Sequence, residues 1–138
     1  AGEVPDVYQT RRILQQFAEE ERRILLLAWM HRQIVGFGVL YPASPYAHKR
    51  HRGQIAVSVL PGHRRIGIGT MLVQQLMHCA AKWEYEQIEL ELRQDNAAAA
   101  ALYRQRGFST RLVWEQGYKL PQGYTDALVM ERRLDYIR

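Results

Sequence analysis

Residues 54–72 read QIAVSVLPGHRRIGIGTML, and this stretch decides the fold. The apolar run at residues 55–60 predicts a buried strand, which Pro61 and Gly62 end. The sequence RRIGIG, residues 64–69, then leads directly into apolar spacing typical of a helix. The free N–H groups of a first helical turn, together with the positive end of the helix dipole, attract anions. The stretch therefore predicts an anion-binding turn.

The glycine pattern of this turn excludes two common classes of phosphate site. The pattern R-x-x-G-x-G, with Arg64, Gly67 and Gly69, lacks the third glycine of the dinucleotide fingerprint G-x-G-x-x-G. It also lacks the G-K-[ST] that ends a P-loop. Two interpretations remain: another kind of phosphate-binding turn, to which Arg64 and Arg65 add charge, or a basic corner without a ligand.

A second motif, DNAAAAALYRQRGF, occupies residues 95–108. Together the two stretches resemble the GCN5-related N-acetyltransferase (GNAT) family, whose signature is V-x-P-x-x-R-x-x-G-x-G followed by N-x-x-A-x-x-L-Y-x-x-x-G-F. The resemblance covers about residues 24 to 134 and implies an acyl-CoA N-acyltransferase fold. The matching positions are Val59, Pro61, Arg64, Gly67 and Gly69, then Asn96, Ala99, Leu102, Tyr103, Gly107 and Phe108.

The bulk composition is typical of one soluble domain covering residues 1–138. With 47% apolar and 24% charged residues, a chain of this length can bury a core without disulfides or a metal. No apolar run reaches the about 20 residues of a membrane span, and the N-terminus lacks a signal-peptide pattern. We therefore expect a cytoplasmic protein that does not enter a membrane.

The net charge of +5 raises the alternative of a basic nucleic-acid-binding module. The basic residues are spread as pairs along the chain rather than concentrated in a run, which is more typical of a solvated surface. The single cysteine, Cys79, lies in a helical apolar pattern and is expected in the core. The five histidines have no metal-ligand spacing, so no metal site is expected.

The apolar periodicity predicts the element order α-β-β-β-α-β-α-β-β and a mixed α/β (α+β) sheet with a parallel strand pair around the first crossover helix. Family members usually begin with a strand and a two-helix segment. Here one helix, capped by Asp6, precedes the first clear strand, so we expect a GNAT fold with a shortened N-terminal segment. The later elements are expected at residues 24–30, 34–40, 55–60, 67–83, 87–92, 97–106, 108–119 and 124–134.

The resemblance implies acetyl-CoA as co-substrate. Backbone N–H groups across residues 65–70 would hold its pyrophosphate, and its pantetheine arm would lie along the central strand. That arrangement requires the strand to splay from its neighbour, typically at a bulge. Asn96 would bind the arm, cap the following helix, or do both. The implied cofactor-binding residues are Val57, Val59, Arg64, Arg65, Ile66, Gly67, Ile68, Gly69, Thr70, Asn96 and Tyr103.

The resemblance also implies transfer of the acetyl group to a primary amine by direct attack in a ternary complex. A donor must protonate the leaving thiolate, and Tyr103 matches the family's donor, although a tyrosine packed under a helix is the alternative. A base must also take a proton from the amine, because primary amines are mostly charged at neutral pH.

The base is less clearly indicated. Glu89 and Glu91 alternate onto the polar side of their strand beside the cleft, although alternation alone predicts a solvated face there. Ser58, His51 and Gln54 are further candidates. Tyr124 and Asp126 could contact an acceptor, but such residues more often serve a turn.

Two wider questions remain open at the level of sequence. A non-catalytic acyl-CoA-binding domain would keep the same motifs without turnover. The closing hairpin, residues 114–130, is where family members often pair, so a homodimer is expected. The acceptor remains unspecified beyond its amine.

Overall fold

A computed structural model describes residues 21–64 and 67–134, and the backbone of residues 6–9. Seven strands form one mixed sheet, and two helices of eight residues or more lie in the described ranges. The strands are β1 (Asp6–Gln9), β2 (Ile24–Met30), β3 (Gln33–Pro42), β4 (Arg52–Val59), β5 (Gln87–Arg93), β6 (Ser109–Leu120) and β7 (Gly123–Arg133). The helices are α1 (Ile68–Lys82) and α2 (Ala97–Gln105). Across the sheet the strands follow the order β1-β2-β3-β4-β5-β7-β6.

The predicted mixed α/β sheet is confirmed, but the first element is not the predicted helix. Residues Asp6–Gln9 form β1, which pairs antiparallel with β2. Pairing gives the outer backbone groups of β2 hydrogen-bond partners, and this tertiary contact outweighs a local helical pattern. The rest of the predicted helix, including Ile13, Leu14 and Phe17, lies outside the described residues.

Both helices pack on one face of the sheet. Leu72, Val73 and Leu76 of α1 are fully buried there. Two glycines of β3 let α1 approach closely, since a Cβ on Gly38 would lie 2.9 Å from Cδ1 of Leu76, and Gly36 lies under the first turn of the helix. The core therefore lies between α1, α2 and this face, which we call the helix face.

The feature that positions the site is a divergence of β4 from β5. These parallel strands pair only at Arg52↔Gln87, Gly53↔Ile88 and Gln54↔Glu89. Beyond that point β4 continues alongside β3, and β5 continues alongside β7. The sheet therefore opens into a wedge between residues 55–59 and residues 90–93.

The splay was predicted, but the bulge was not found. The register of β4 on β3 runs without a shift from Pro42↔Gly53 to Gly36↔Val59. The strands separate because each follows its other neighbour. The sequence also placed the start of β4 at residue 55, and the polar residues 52–54 that it left out are the ones that pair with β5.

The closed end of the wedge is held by a buried arginine and a buried tyrosine. The guanidinium of Arg22 lies 3.8 Å from the centre of the Tyr85 ring and donates to the carbonyls of Trp83 at 3.1 Å and Arg50 at 2.7 Å. The Tyr85 hydroxyl donates to the Arg22 carbonyl at 2.7 Å. These bonds tie the C-terminal end of α1 to the loop before β4, so the strands are fixed where they meet.

Candidate active site

The main chain of β4 faces the wedge at alternate residues. The Leu60 N–H donates to the Val35 carbonyl at 2.8 Å, which fixes the hydrogen-bonding phase of β4 against β3. Only every second residue of an antiparallel strand bonds to its partner, so Ser58 bonds to β3 and its neighbours do not. The backbone groups of Val57 and Val59 therefore point into the wedge, where an extended chain could add as a further strand.

One of these groups already has a partner. The Val59 carbonyl accepts a hydrogen bond from Nε of the exposed Arg64 at 3.3 Å. The guanidinium of Arg64 is therefore held at the end of β4, beside the turn that leads into α1. Arg65 and Ile66, the other predicted residues of this turn, lie outside the described residues.

The N-terminus of α1 offers free amides next to this arginine. The first helical bond runs from the Met71 N–H to the Gly67 carbonyl at 3.0 Å, so the N–H groups of Ile68, Gly69 and Thr70 have no acceptor within the helix. Gly67 caps the helix with φ of +87° and with no side-chain capping bond. A Cβ added there would meet nothing within 4 Å, so packing does not require a glycine at this position, whereas the left-handed φ favours one.

Gly69 has a different reason to be small. A Cβ at this position would lie 3.1 Å from Cδ2 of Leu102 on α2 and 3.9 Å from Cγ2 of Val59. The glycine therefore lets the two helices approach one another over the end of β4. Close helix packing accounts for Gly69, whereas a left-handed backbone accounts for Gly67.

Tyr103 is buried beneath α2 on the helix face. Only 6% of the residue is exposed, and its ring meets Phe108 edge-on with centroids 5.6 Å apart. Burial raises the pKa of the Tyr103 hydroxyl to about 12. Among residues 21–64 and 67–134 the hydroxyl has no hydrogen-bond partner. The group therefore carries a proton throughout the neutral range and has the capacity to donate it.

Asn96 serves as a helix cap. Its side-chain oxygen accepts the Ala99 N–H at 3.2 Å, which satisfies one of the free donors at the start of α2. The residue is exposed at the strand-to-helix corner.

The two candidate glutamates of β5 occupy different environments. Glu89 lies at the last paired position of the closed end, and both its oxygens accept from Nη2 of Arg52, at 3.0 and 2.8 Å. Glu91 lies two residues further on, beside the open wedge, and accepts one hydrogen bond, from the Tyr118 hydroxyl at 2.8 Å. Both glutamates lie on the face opposite the helices, whereas Tyr103 is buried on the helix face.

A comparison with family models decides the classification. The model described as the acetyltransferase (GNAT) family matches residues 2–108. The chain belongs to the GNAT family. The wedge, the amides at the start of α1 and the buried tyrosine are therefore features of a GNAT domain.

Curated relatives of this GNAT chain are named as N-acetyltransferases. The ribosomal protein bS18-alanine N-acetyltransferase of Salmonella typhimurium is 35% identical over 74 residues, which are 54% of this chain and 50% of that protein. An N-alpha-acetyltransferase of Sulfurisphaera tokodaii is 35% identical over 84 residues, 60% of this chain and 49% of that protein. The chain thus spans about half the length of the curated relatives it matches.

Solved structures share the GNAT architecture. A ribosomal-protein-alanine N-acetyltransferase from Brucella melitensis has a TM-score of 0.77 at 26% identity, over 90% of this chain and 76% of that one. A Salmonella typhimurium protein solved with its cofactor acetyl-CoA has a TM-score of 0.81 at 18% identity, over 91% and 73% of the two chains. The second likeness is one of fold.

The described residues contain neither a membrane-spanning helix nor a metal-ligand cluster. None of the helices there is long and apolar enough to cross a membrane. The same residues contain no cluster of three or more histidine, cysteine or acidic side chains arranged to hold a metal ion. Cys79 is buried, as the sequence predicted.

The GNAT site also contains residues that the sequence did not single out. Arg52 and Tyr118 are the partners of Glu89 and Glu91, and no local motif marks either of them. Asp126 does have a structural role, because its carboxylate accepts the Gln116 N–H at 2.9 Å. This bond supports the interpretation of Asp126 as a residue that holds a local backbone bend.

Proposed function

We propose that this chain is an acetyl-CoA-dependent N-acetyltransferase, which transfers the acetyl group to a primary amine by direct attack in a ternary complex. The observation that carries the proposal is the wedge, which ends at the free amides of α1. An extended arm fits the free edge of β4, and a pyrophosphate fits the free amides that follow Gly67.

We assign groups of this chain to the pantetheine arm and to the pyrophosphate of acetyl-CoA. The main chains of Val57 and Val59 would bind the pantetheine arm, and the amides of Ile68, Gly69 and Thr70 would bind the pyrophosphate. Arg64, and with it Arg65 and Ile66 of the same turn, would complete the anion site. The bound co-substrate supplies a thioester carbonyl, which the acceptor amine attacks.

We propose Glu91 rather than Glu89 as the base. Glu89 is held on both oxygens by Arg52 where the strands are still paired, so its carboxylate is already neutralised. Glu91 is beside the open part of the wedge and is bonded to a neutral hydroxyl. It can accept the proton of an amine arriving from the face opposite the helices, while Tyr103 protonates the thiolate from the helix face.

For the acceptor we propose the N-terminal α-amine of a peptide or protein. One curated relative is named as an alanine N-acetyltransferase of a ribosomal protein and another as an N-alpha-acetyltransferase. An α-amine has a pKa of about 8, against about 10.4 for the lysine side chain. At neutral pH a larger fraction of the α-amine is therefore uncharged, and its proton is lost more easily to a weak base such as a carboxylate. Because such acceptors are made on ribosomes, we further propose that the protein works in the cytoplasm.

The activity is tested by thiol release from acetyl-CoA. A short peptide with a free N-terminal alanine should release thiol, and the same peptide with a blocked N-terminus should not. Binding of acetyl-CoA without thiol release for any amine would favour a non-catalytic binding domain instead.

Tyr103→Phe tests the proposed acid. We expect kcat to fall by about 100-fold, because general acid catalysis typically contributes that much, while the affinity for acetyl-CoA is unchanged. The pH profile gives a further check. Since the pKa of Tyr103 is raised to about 12, the acid stays protonated at lower pH and the wild-type rate should show no alkaline limb from this group below about pH 11. An unchanged kcat in the variant would remove the assignment.

We also propose a homodimer through the closing hairpin. Strand β6 is an edge strand, and its consecutive apolar residues Leu112, Val113 and Trp114 are 47%, 48% and 62% exposed. Leu112 and Trp114 lie on the face opposite the helices and Val113 lies on the helix face, because adjacent strand residues alternate. A second copy that pairs along this edge would cover apolar side chains on both faces. Sedimentation velocity should give twice the chain mass of 16.1 kDa, and Trp114→Glu should give the single mass with acetyl-CoA affinity retained. A wild-type monomer at high concentration would contradict the dimer.

A further inference from the structure

A bulge in β6 determines which side chain reaches Glu91. Trp114 pairs with Ala127 and Tyr118 pairs with Thr125, so three residues of β6 lie opposite the single Asp126 of β7. A regular strand would have placed Gln116 opposite Thr125. The two extra residues place Tyr118 there, on the face opposite the helices.

The bulge is stabilised at two points. The Gln116 N–H donates to the Asp126 carboxylate at 2.9 Å, and Gln116 has a left-handed φ of 55°. Gly117 packs directly on β7, since a Cβ there would lie 2.7 Å from the Cβ of Ala127. A side chain at Gly117 would push β6 away from β7. The position of Tyr118 is therefore fixed by its surroundings.

From this position the Tyr118 side chain spans β7 and reaches β5. Its hydroxyl donates to the Glu91 carboxylate at 2.8 Å. Burial, and then the bond to Glu91 and its charge, raise the pKa of Tyr118 to about 12, so the hydroxyl remains a donor across the working pH range. A hydrogen bond to a carboxylate stabilises its charged form and restricts its rotation.

We propose that Tyr118 is a positioning residue that orients the Glu91 carboxylate at the wedge, ready to bind the ammonium of the acceptor and take its proton. The inference rests on the proposed function of Glu91 as base. It assigns a catalytic purpose to the β6 bulge, which otherwise costs backbone pairing.

Other charges on this face are already paired. Arg93 is bound to Asp95 at 2.7 Å, and Arg52 is bound to Glu89 at 2.8 Å. Glu131 of β7 is bound to Arg111 at 3.0 Å and to Arg133 at 3.3 Å. Within the described ranges, Glu91 accepts its side-chain hydrogen bond from Tyr118.

The first test follows the side-chain carboxyl of Glu91 by ¹³C NMR at neutral pH in the wild type and in Tyr118→Phe. Phenylalanine keeps the ring and removes the donor, so the Glu91 carboxyl signal should shift and its side chain should rotate more freely. Tyr46→Phe is the matched control, because Tyr46 is 62% exposed in the loop before β4 and stacks on His48 instead. An identical Glu91 carboxyl signal in all three proteins would overturn the proposal, whether or not an acceptor is known.

The second test is kinetic. In Tyr118→Phe the value of kcat/KM for the acceptor should fall about tenfold, with KM for acetyl-CoA unchanged. In a Glu91→Gln background the same change should have little further effect, because its partner is gone. Effects that multiply in the double variant would show that Tyr118 acts independently of Glu91. A wild type without turnover would contradict the proposed function and leave the NMR test standing.

Discussion

Gly67→Val is expected to lower the affinity for acetyl-CoA by about 100-fold or more. The valine side chain would lie beside the first turn of α1 and would crowd a pyrophosphate that binds the amides of Ile68, Gly69 and Thr70. Charge-assisted hydrogen bonds of this kind contribute about 1.5–3 kcal/mol each. The left-handed φ of +87° adds a strain of about 1–2 kcal/mol, so some loss of stability is expected too. Calorimetric titration and urea unfolding measure the two effects separately.

Gly123→Val is a matched control for this experiment. Gly123 also has a positive φ, of +134°, and open space around its Cβ position, but it lies at the start of β7, just after the turn from β6. Both variants should lose stability, and the Gly123 variant should bind acetyl-CoA like the wild type. Normal binding by the Gly67 variant, or an equal loss in both, would contradict the anion site at the start of α1.

Glu91→Gln is expected to reduce thiol release by about 10²–10⁴-fold, the usual contribution of a general base, and to leave acetyl-CoA binding intact. Glutamine keeps the size of the side chain and removes its basic carboxylate. The rate is measured with a peptide carrying a free N-terminus, over a pH series that covers the ionisation of its amine.

Glu89→Gln provides the comparison. This change breaks an ion pair with Arg52 in which the two side chains are 24% and 35% exposed, so a modest loss of stability and a change in rate of a few-fold are expected. A large loss of rate in the Glu89 variant and a small one in the Glu91 variant would reverse the assignment of the base.

Local sequence predicted most of the framework. The strand at residues 24–30 was predicted with the bounds that β2 has, and α1 and α2 were each predicted within one residue at either end. These elements carry strong periodic signals, and glycine or proline marks several of their ends. The wedge could be predicted as well, because the resemblance to the GNAT family required it.

Contacts between distant residues could not be predicted in the same way. Val7 fits a helical stripe, yet β1 forms because β2 offers an edge. Glu89 and Glu91 are equivalent in an alternating strand, and only Arg52 and Tyr118, which come from other strands, make them different. Tyr118 in turn depends on a bulge, which shifts the register by two residues and leaves no simple pattern in the sequence.

Gly67 and Gly69 show the same limit within one motif. The resemblance gave both glycines one reason to be small, the approach of a pyrophosphate. The structure gives Gly69 the contact with Leu102 instead, across the two helices. A motif therefore identified the positions, and packing distinguished what each one does.

The measurement that tests the account most directly is calorimetric titration of acetyl-CoA into the purified protein. We expect saturable binding in the micromolar range with one site per chain, because the unpaired edge of β4 and the free amides of α1 are present before acetyl-CoA binds. An absence of binding at high protein concentration would contradict this assignment, because the chain would then have the wedge and yet not bind acetyl-CoA.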